Sequence, residues 1–240
     1  MSPEETKQYR KLSVIVPVFD ERNTVVEIVR RMRAVDLPVD LEIVIVDDGS
    51  TDGTRDVLRQ LADSTVRVVT HDVNRGKGAA IRTGLAQVTG DLVLVQDADL
   101  EYDPEDWPKL LNPILRGKAR VVYGSRFTGE RRNMLFLHWV GNRFLSLVTN
   151  VLYNTTLSDM ETCYKLFDRK LIQSLPLRSE RFGFEPEVTA LILRTGERIY
   201  EVPISYAGRE FDEGKKITWR DGFDLLAVLV RCRFRRDLRR

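Results

Sequence analysis

Residues Leu92 to Asp106, LVLVQDADLEYDPED, set an apolar run directly against a run of acids. Asp97, Asp99, Glu101 and Asp103 fall on every second position, and Glu105 and Asp106 follow. Like charges at this spacing repel, so water, a helix start or a metal ion must offset them. On an extended chain alternate residues face the same way, so Asp97 and Asp99 can present carboxylates to one side. Hard divalent cations such as Mg2+ or Mn2+ take oxygen ligands, often one or two carboxylates plus substrate phosphates. Glu101 would be a third ligand if the extended geometry persists. Asp103, Glu105 and Asp106 suit a helix start, with Asp103 as the N-cap ahead of Pro104.

Three further clusters carry candidate chemistry. In VDDGSTDGT, Gly49, Ser50 and Gly53 suit a tight turn and Asp52 suits a helix cap. That leaves Asp47 and Asp48 over, and a carboxylate there could accept the ring N–H of uracil or guanine. In PVFDE, Pro17, Phe19 and Glu21 could supply a base-facing ring and a ribose acceptor, although Phe19 serves equally as an apolar plug. NRGKGAAIRTG joins a Gly-rich turn, Lys77 and a helix start, which suits an anion through free backbone N–H groups and the helix dipole. Close helix–sheet packing would also explain its glycines. The stretch is neither a P-loop nor a dinucleotide fingerprint: no Ser or Thr follows Lys77, and Ile81 stands where a small residue belongs. His71 and His138 lack metal spacing, and no nucleophile elbow is present, so hydrolysis is not indicated.

The elements that must hold these clusters alternate. KLSVIVPV (11–18), LEIVIVDD (41–48), VRVVT (66–70), DLVLVQ (91–96) and ARVVYG (119–124) read as strands, separated by segments of helical length. Continuous apolar strands between helices predict a mostly parallel α/β sheet covered on both faces. Ligands of such sheets bind at the carboxyl ends of the strands, where the polar clusters fall. The second half predicts helices over 135–153 and 184–195, strands in ETCYKLF and RIYEVPISY, and a last helix from about Trp219 into the basic end. The division expected is 1–127 for a half that carries the polar clusters and 128–240 for a second half that packs onto the sheet as part of the same domain.

The 240 residues carry a net charge of +2, with 42% hydrophobic and 31% charged residues, so the whole molecule gives no electrostatic bias toward nucleic acid. The final ten residues, RCRFRRDLRR, are strongly basic. Cys163 and Cys232 form no metal or disulfide framework, which fits a reducing cytoplasm. No apolar signal region and no membrane-spanning stretch are expected. Trp219, Phe223, Leu226, Val230 and Phe234 recur at helical spacing beside the arginines, which suits an anionic membrane surface.

Taken in order, VIVPVFDE, VIVDDGSTDGT, NRGKGAAIRTG, QDADLEYDPED and YGSRF resemble family 2 glycosyltransferases of GT-A, Rossmann-like fold. The likeness continues through SDMETCYKLF, FGFEPEV and GREFDEGKKITWRDG toward the polyprenyl-phosphate (dolichyl-phosphate) mannose and glucose synthases. It implies an inverting, metal-dependent transfer from a UDP-glucose- or GDP-mannose-type donor to a polyprenyl phosphate. It implies Asp97, Ala98 and Asp99 at the sugar diphosphate, with the cation held by Asp97, Asp99 and provisionally Glu101. Pro17, Phe19, Glu21, Asp48 and Lys77 would contact the nucleotide sugar. Asp99, Arg126 and Arg209 would be catalytic, and Arg126, Arg143, Arg209 and Lys216 would hold the acceptor phosphate, with Arg132 a further candidate. Cys163 replaces the usual glycine after Asp159 and Thr162. The enzyme would sit at the inner face of the membrane, and a homo-oligomer stays open. Rival readings are a soluble or glycan hydroxyl acceptor, with Asp159, Glu161 or Glu185 as base, a sugar-1-phosphate nucleotidyltransferase, and a non-catalytic nucleotide-sugar binder.

Overall fold

The structure, a computed structural model, describes residues 9–208 and 221–235 of the chain. Arg209, Lys215, Lys216 and Trp219 therefore lie outside the described residues. Strands run over Lys11–Val18 (β1), Asp40–Asp47 (β2), Val66–Thr70 (β3), Leu92–Val95 (β4), Val121–Ser125 (β5), Lys165–Asp168 (β6) and Tyr200–Pro203 (β7). Helices run over Val25–Ala34 (α1), Thr54–Leu61 (α2), Lys77–Leu85 (α3), Trp107–Leu115 (α4), Phe136–Tyr153 (α5), Arg169–Ser174 (α6), Phe184–Thr195 (α7) and Asp221–Phe234 (α8). A single 3-10 turn, Pro104–Asp106, leads into α4, and Asp103 caps it by accepting the Glu105 N–H at 3.1 Å.

The strands form one seven-stranded sheet in the order β3-β2-β1-β4-β6-β5-β7. Val14, Ile15, Val16, Ile43, Val44 and Ile45 are all fully buried, so successive residues are covered on both faces of the sheet. β6 departs from the parallel rule: it runs antiparallel to both β4 and β5. The reason lies in the route of the chain. After α5 it re-enters at the carboxyl end of β5, where Ser158 Oγ lies 2.6 Å from Ser125 Oγ, and from that edge a strand can only run back. The second half of the chain thus contributes β6 and β7 to the same sheet as the first half.

The glycine of α3 nearest the sheet, Gly84, marks close helix–sheet packing. A Cβ there would collide with Ile15 of β1.

Candidate active site

β1 is flanked by β2 on one side and β4 on the other. The chain moves outward from β1 to β3, then returns to place β4 on the opposite flank. The carboxyl ends of β1 and β4 therefore mark the point where the strand order reverses, the position at which open α/β sheets take ligands. Pro17–Glu21 leaves β1 at that point and Gln96–Asp99 leaves β4. Pro17 and Phe19 are half-buried there. The loop after β1 is stitched to the loop after β2. Asp20 N–H donates to Ser50 Oγ at 2.9 Å, Thr51 N–H to Asp20 Oδ1 at 2.8 Å, and Glu21 N–H to Thr54 Oγ1 at 3.0 Å. Glu21 Oε2 accepts the Thr24 hydroxyl at 2.8 Å.

A buried polar grip sets the acidic pair. Gln96 is fully buried, and its Oε1 accepts from Tyr164 Oη at 2.6 Å and Trp107 Nε1 at 3.3 Å. Its Nε2 donates to the Asp97 carbonyl at 3.0 Å. Ala98 is buried while Asp97 and Asp99 are partly exposed. β4 ends at Val95, Ala98 and Asp99 lie in a turn, and Leu100 takes the left-handed conformation (φ 64°), unusual for a leucine. Glu101, expected as a third ligand, has its backbone N–H on Asp99 Oδ1 at 3.2 Å. Its Oε2 accepts the Tyr206 hydroxyl at 2.8 Å, and its carbonyl accepts the Ala207 N–H at 3.0 Å. Among the described residues no three His, Cys, Asp or Glu side chains gather closely enough to hold an ion. Two partly exposed carboxylates two residues apart still suit Mg2+ or Mn2+, which habitually fill their remaining positions with phosphate oxygens and water.

Lys77, in the first turn of α3, lies against the pair. Its Nζ stands 2.8 Å from Asp97 Oδ1 and 2.8 Å from Glu185 Oε1 on α7. Burial pulls the ammonium pKa down, but Asp97 and Glu185 outweigh it and hold it well above the usual lysine range. The anion cradle expected at this helix start is not open: Gly78 N–H donates to Arg181 O at 3.1 Å and Ala79 N–H to Glu180 O at 2.9 Å. The glycines serve that approach, since a Cβ on Gly76 or Gly78 would collide with the carbonyls of Glu180 or Ser179.

Asp48 is similarly occupied. Its Oδ1 accepts from His71 Nδ1 at 2.7 Å and Arg75 N–H at 2.9 Å, and its Oδ2 from Gly76 N–H at 2.7 Å. This leaves room for one further donor on Oδ2. Asp48 thus shapes the Gly-rich turn, and His71, whose Nε2 meets Thr83 Oγ1 at 3.0 Å, is part of the same frame. Asp47 accepts Ser50 N–H and pairs with Arg55 at 2.9 Å.

On the acceptor side, Arg126 is buried and bidentate on Asp159, with Nε and Nη2 at 2.7 and 2.8 Å. Burial lowers its pKa and Asp159 more than restores it. Arg126, expected at the acceptor phosphate, thus makes a two-pronged contact with Asp159. Arg143 on α5 and Arg131, which no motif singled out, both lie over the Phe127 ring, at 5.4 and 5.3 Å from its centroid. Neither is within ion-pair distance of a carboxylate among the described residues; Arg143 donates to Ser158 O and Arg131 to Arg126 O. Arg132 is exposed and donates its N–H to Tyr206 O.

Beneath these, burial first and Glu185 second raise the Glu161 carboxyl to about 8, while burial lowers the Lys165 ammonium to about 8. Glu161 Oε1 and Thr162 Oγ1 are buried without a hydrogen-bond partner among the described residues. Tyr206 and Arg131 were named by no motif: each acquires its place through its contacts in the fold.

Residues 13–175 match the family model Glycosyl transferase family 2, and the chain belongs to that family. It is a glycosyltransferase of GT-A fold. It is 31% identical over 230 residues to an undecaprenyl-phosphate 4-deoxy-4-formamido-L-arabinose transferase of Enterobacter sp. (strain 638), covering 92% of this chain and 67% of the relative. It is 30% identical over 240 residues to a dodecaprenyl-phosphate galacturonate synthase of Rhizobium johnstonii, covering 95% and 69%. Among solved structures, glucosyl-3-phosphoglycerate synthase of Mycobacterium tuberculosis in complex with Mg2+ and UDP superposes with a TM-score of 0.71 at 27% identity, over 95% of this chain and 80% of that one. The same enzyme with Mn2+, UDP and phosphoglyceric acid gives 0.72 at 26%, again over 95% and 80%.

Proposed function

We propose that this glycosyltransferase moves a sugar from a nucleoside diphosphate sugar to a polyprenyl phosphate, with inversion at the anomeric carbon. The observation that carries the acceptor half of this reading is the pair Arg131 and Arg143, two guanidiniums meeting on one ring with no carboxylate among the described residues paired to either. A phosphate monoester, with a second pKa of about 6, is mostly ionised at neutral pH and needs cationic holders rather than a base. Its oxygen attacks the anomeric carbon opposite the departing diphosphate; the new C–O bond forms as the old one breaks, and the nucleoside diphosphate leaves with the bonding electrons. The two curated relatives named above act on polyprenyl phosphates, which supports the class of acceptor.

Asp97 and Asp99 would hold a divalent cation, and such an ion offsets charge on the leaving diphosphate, worth several kcal/mol of barrier. Lys77 keeps Asp97 in place, and Pro17, Phe19, Glu21 and the remaining acceptor position on Asp48 Oδ2 are assigned to the nucleotide. Arg126, locked on Asp159, positions the Phe127–Arg131 segment. Arg209 and Lys216 are assigned to the phosphates by resemblance alone.

No helix among the described residues is long and apolar enough to cross a membrane. The lipid would be met from the surface. At 3.6 residues per turn, Phe136, Leu137, Val140, Phe144, Leu147 and Val151 occupy about 100° of α5, and all are exposed, from 40% to 80%. α5 contains no acid, and on α8 Arg231 and Arg233 flank the exposed Phe223, Val230 and Phe234. These rows suit peripheral attachment to an anionic lipid surface at the inner face of a membrane.

Glu161 favours one second reading: a carboxyl raised to about 8 suits a general base for a hydroxyl acceptor. A panel of UDP-glucose and GDP-mannose with short polyprenyl phosphates and Mg2+ or Mn2+ separates the two. Sugar on the lipid phosphate is expected. Donor hydrolysis without lipid product would favour the hydroxyl acceptor, and undiminished transfer by Asp99→Ala would sink the metal assignment.

A further inference from the structure

Arg235, just beyond the end of α8, is part of the basic tail by sequence but not by contact. Its side chain is 10% exposed, and Nη1 pairs with Oε1 of the buried Glu187 on α7 at 3.2 Å while Nη2 donates to Pro176 O at 3.1 Å. The other oxygen of Glu187 accepts two consecutive backbone N–H groups, Arg178 at 2.9 Å and Ser179 at 2.7 Å. The loop so held is the one whose carbonyls at Glu180 and Arg181 receive the Ala79 and Gly78 N–H groups of α3. Arg82 of α3 adds a contact to Arg178 O at 2.6 Å. Since Gly76 and Gly78 have no room even for a methyl group against this loop, a shift in the loop must move the helix start. That first turn carries Lys77, and Lys77 holds Asp97.

We infer that Arg235 is a positioning residue for the nucleotide-sugar site: through Glu187 it fixes loop 178–181, and through that loop the turn of α3 that bears Lys77. The inference rests on the reading of Lys77 and Asp97 as the donor side. It makes donor affinity dependent on the seating of the end of α8, the same segment whose outer arginines face the lipid in the proposed function.

The test measures amide exchange and nucleotide binding on the full chain. In Arg235→Ala, the Gly78 and Ala79 amides should exchange about ten-fold faster, with β1 and β4 unchanged. Calorimetric Kd values for UDP or GDP with Mn2+ should rise about ten-fold. Arg235→Lys should fall between, and Arg59→Ala, an exposed arginine paired with Asp56 on α2, should behave as the unaltered chain. Unaltered exchange at Gly78 and Ala79 would overturn the relay, and faster exchange with unaltered Kd would overturn the positioning role. If Arg235→Ala does not fold, Glu187→Gln removes the charge at the same joint and must show the same two changes. Binding of neither nucleotide by the unaltered chain would overturn the donor reading, and the exchange result alone then decides the relay.

Discussion

The ammonium of Lys77 lies 2.8 Å from Oδ1 and 3.0 Å from Oδ2 of Asp97, so one cation from the Gly-rich turn spans both oxygens of the first acid in the DAD motif. Glu185 closes the triangle from α7. Lys77→Met would leave two partly buried carboxylates facing each other, at a cost of about 1–3 kcal/mol. Thermal unfolding should register that loss. Steady-state kinetics should show a donor KM raised more than the acceptor KM.

Arg126 and Asp159 make a bidentate buried pair. Asp159→Ala strands a guanidinium away from water, and removing one partner of a buried pair costs about 3–5 kcal/mol. For a chain of this size that lowers Tm by on the order of 10 °C, which calorimetry can read. A change below about 1 kcal/mol, the range of exposed pairs, would mean that Arg126 reaches solvent or phosphate instead.

Glu161 sets a pH dependence of stability. Its native pKa is raised, by burial and then by Glu185, from 4.5 to about 8. The folded state therefore binds this proton more tightly than the unfolded chain. The stability this contributes is complete below about pH 4.5 and is lost as pH climbs through 8. Glu161→Gln should match the parent near pH 4.5 and exceed it by about 1–2 kcal/mol at pH 8 once solvent screening is allowed for. Urea unfolding at pH 5, 6.5 and 8 gives the difference curve; a flat one refutes the assignment.

Glu101 separates anchoring from ligation. With its carboxylate hydrogen-bonded to Tyr206, Glu101→Gln should leave Mn2+ dependence of transfer within about two-fold, while Asp99→Asn should abolish it. Tyr206→Phe should cost about 0.5–1.5 kcal/mol in stability. A large rise in the Mn2+ requirement of Glu101→Gln would restore it as a ligand.

Phe144→Ser with Leu147→Ser addresses the outer row of α5. Both positions are more than half exposed, so folding should be spared. Co-sedimentation with phosphatidylglycerol vesicles should drop about ten-fold, with transfer to a short, water-soluble acceptor retained. Unchanged sedimentation, or a change from dimer to monomer in light scattering, would assign that row elsewhere. Deleting residues 231–240 is a poorer probe, because it also removes Arg235 from Glu187.

Periodicity made much of the frame legible. β1, β3 and α7 occupy the stretches read from hydrophobic runs, 11–18, 66–70 and 184–195, because continuous burial leaves a continuous apolar signature. The antiparallel turn of β6 left none, since a four-residue buried strand reads the same in either direction. At the site, residue types located the pair Asp97 and Asp99 and the Gly-rich turn. What those residues touch was not legible: Asp159 is 33 positions from Arg126, and Glu101 is 105 from Tyr206. Nor did any glycine or asparagine draw attention to the left-handed Leu100 beside Glu101.

Because β6 lies between β4 and β5, the sheet cannot be completed in the order in which its strands are made. While the ribosome extends past residue 127, β4 shows an unpaired flank and β5 has no neighbour at all. Both wait until Lys165–Asp168 emerges, through a span that includes the exposed apolar row of α5. An unpaired flank in a partly made chain is a site of mispairing. A chain cut short after residue 127 should therefore aggregate, and residues 128–208 supplied in trans should rescue it only by inserting a strand between two already made.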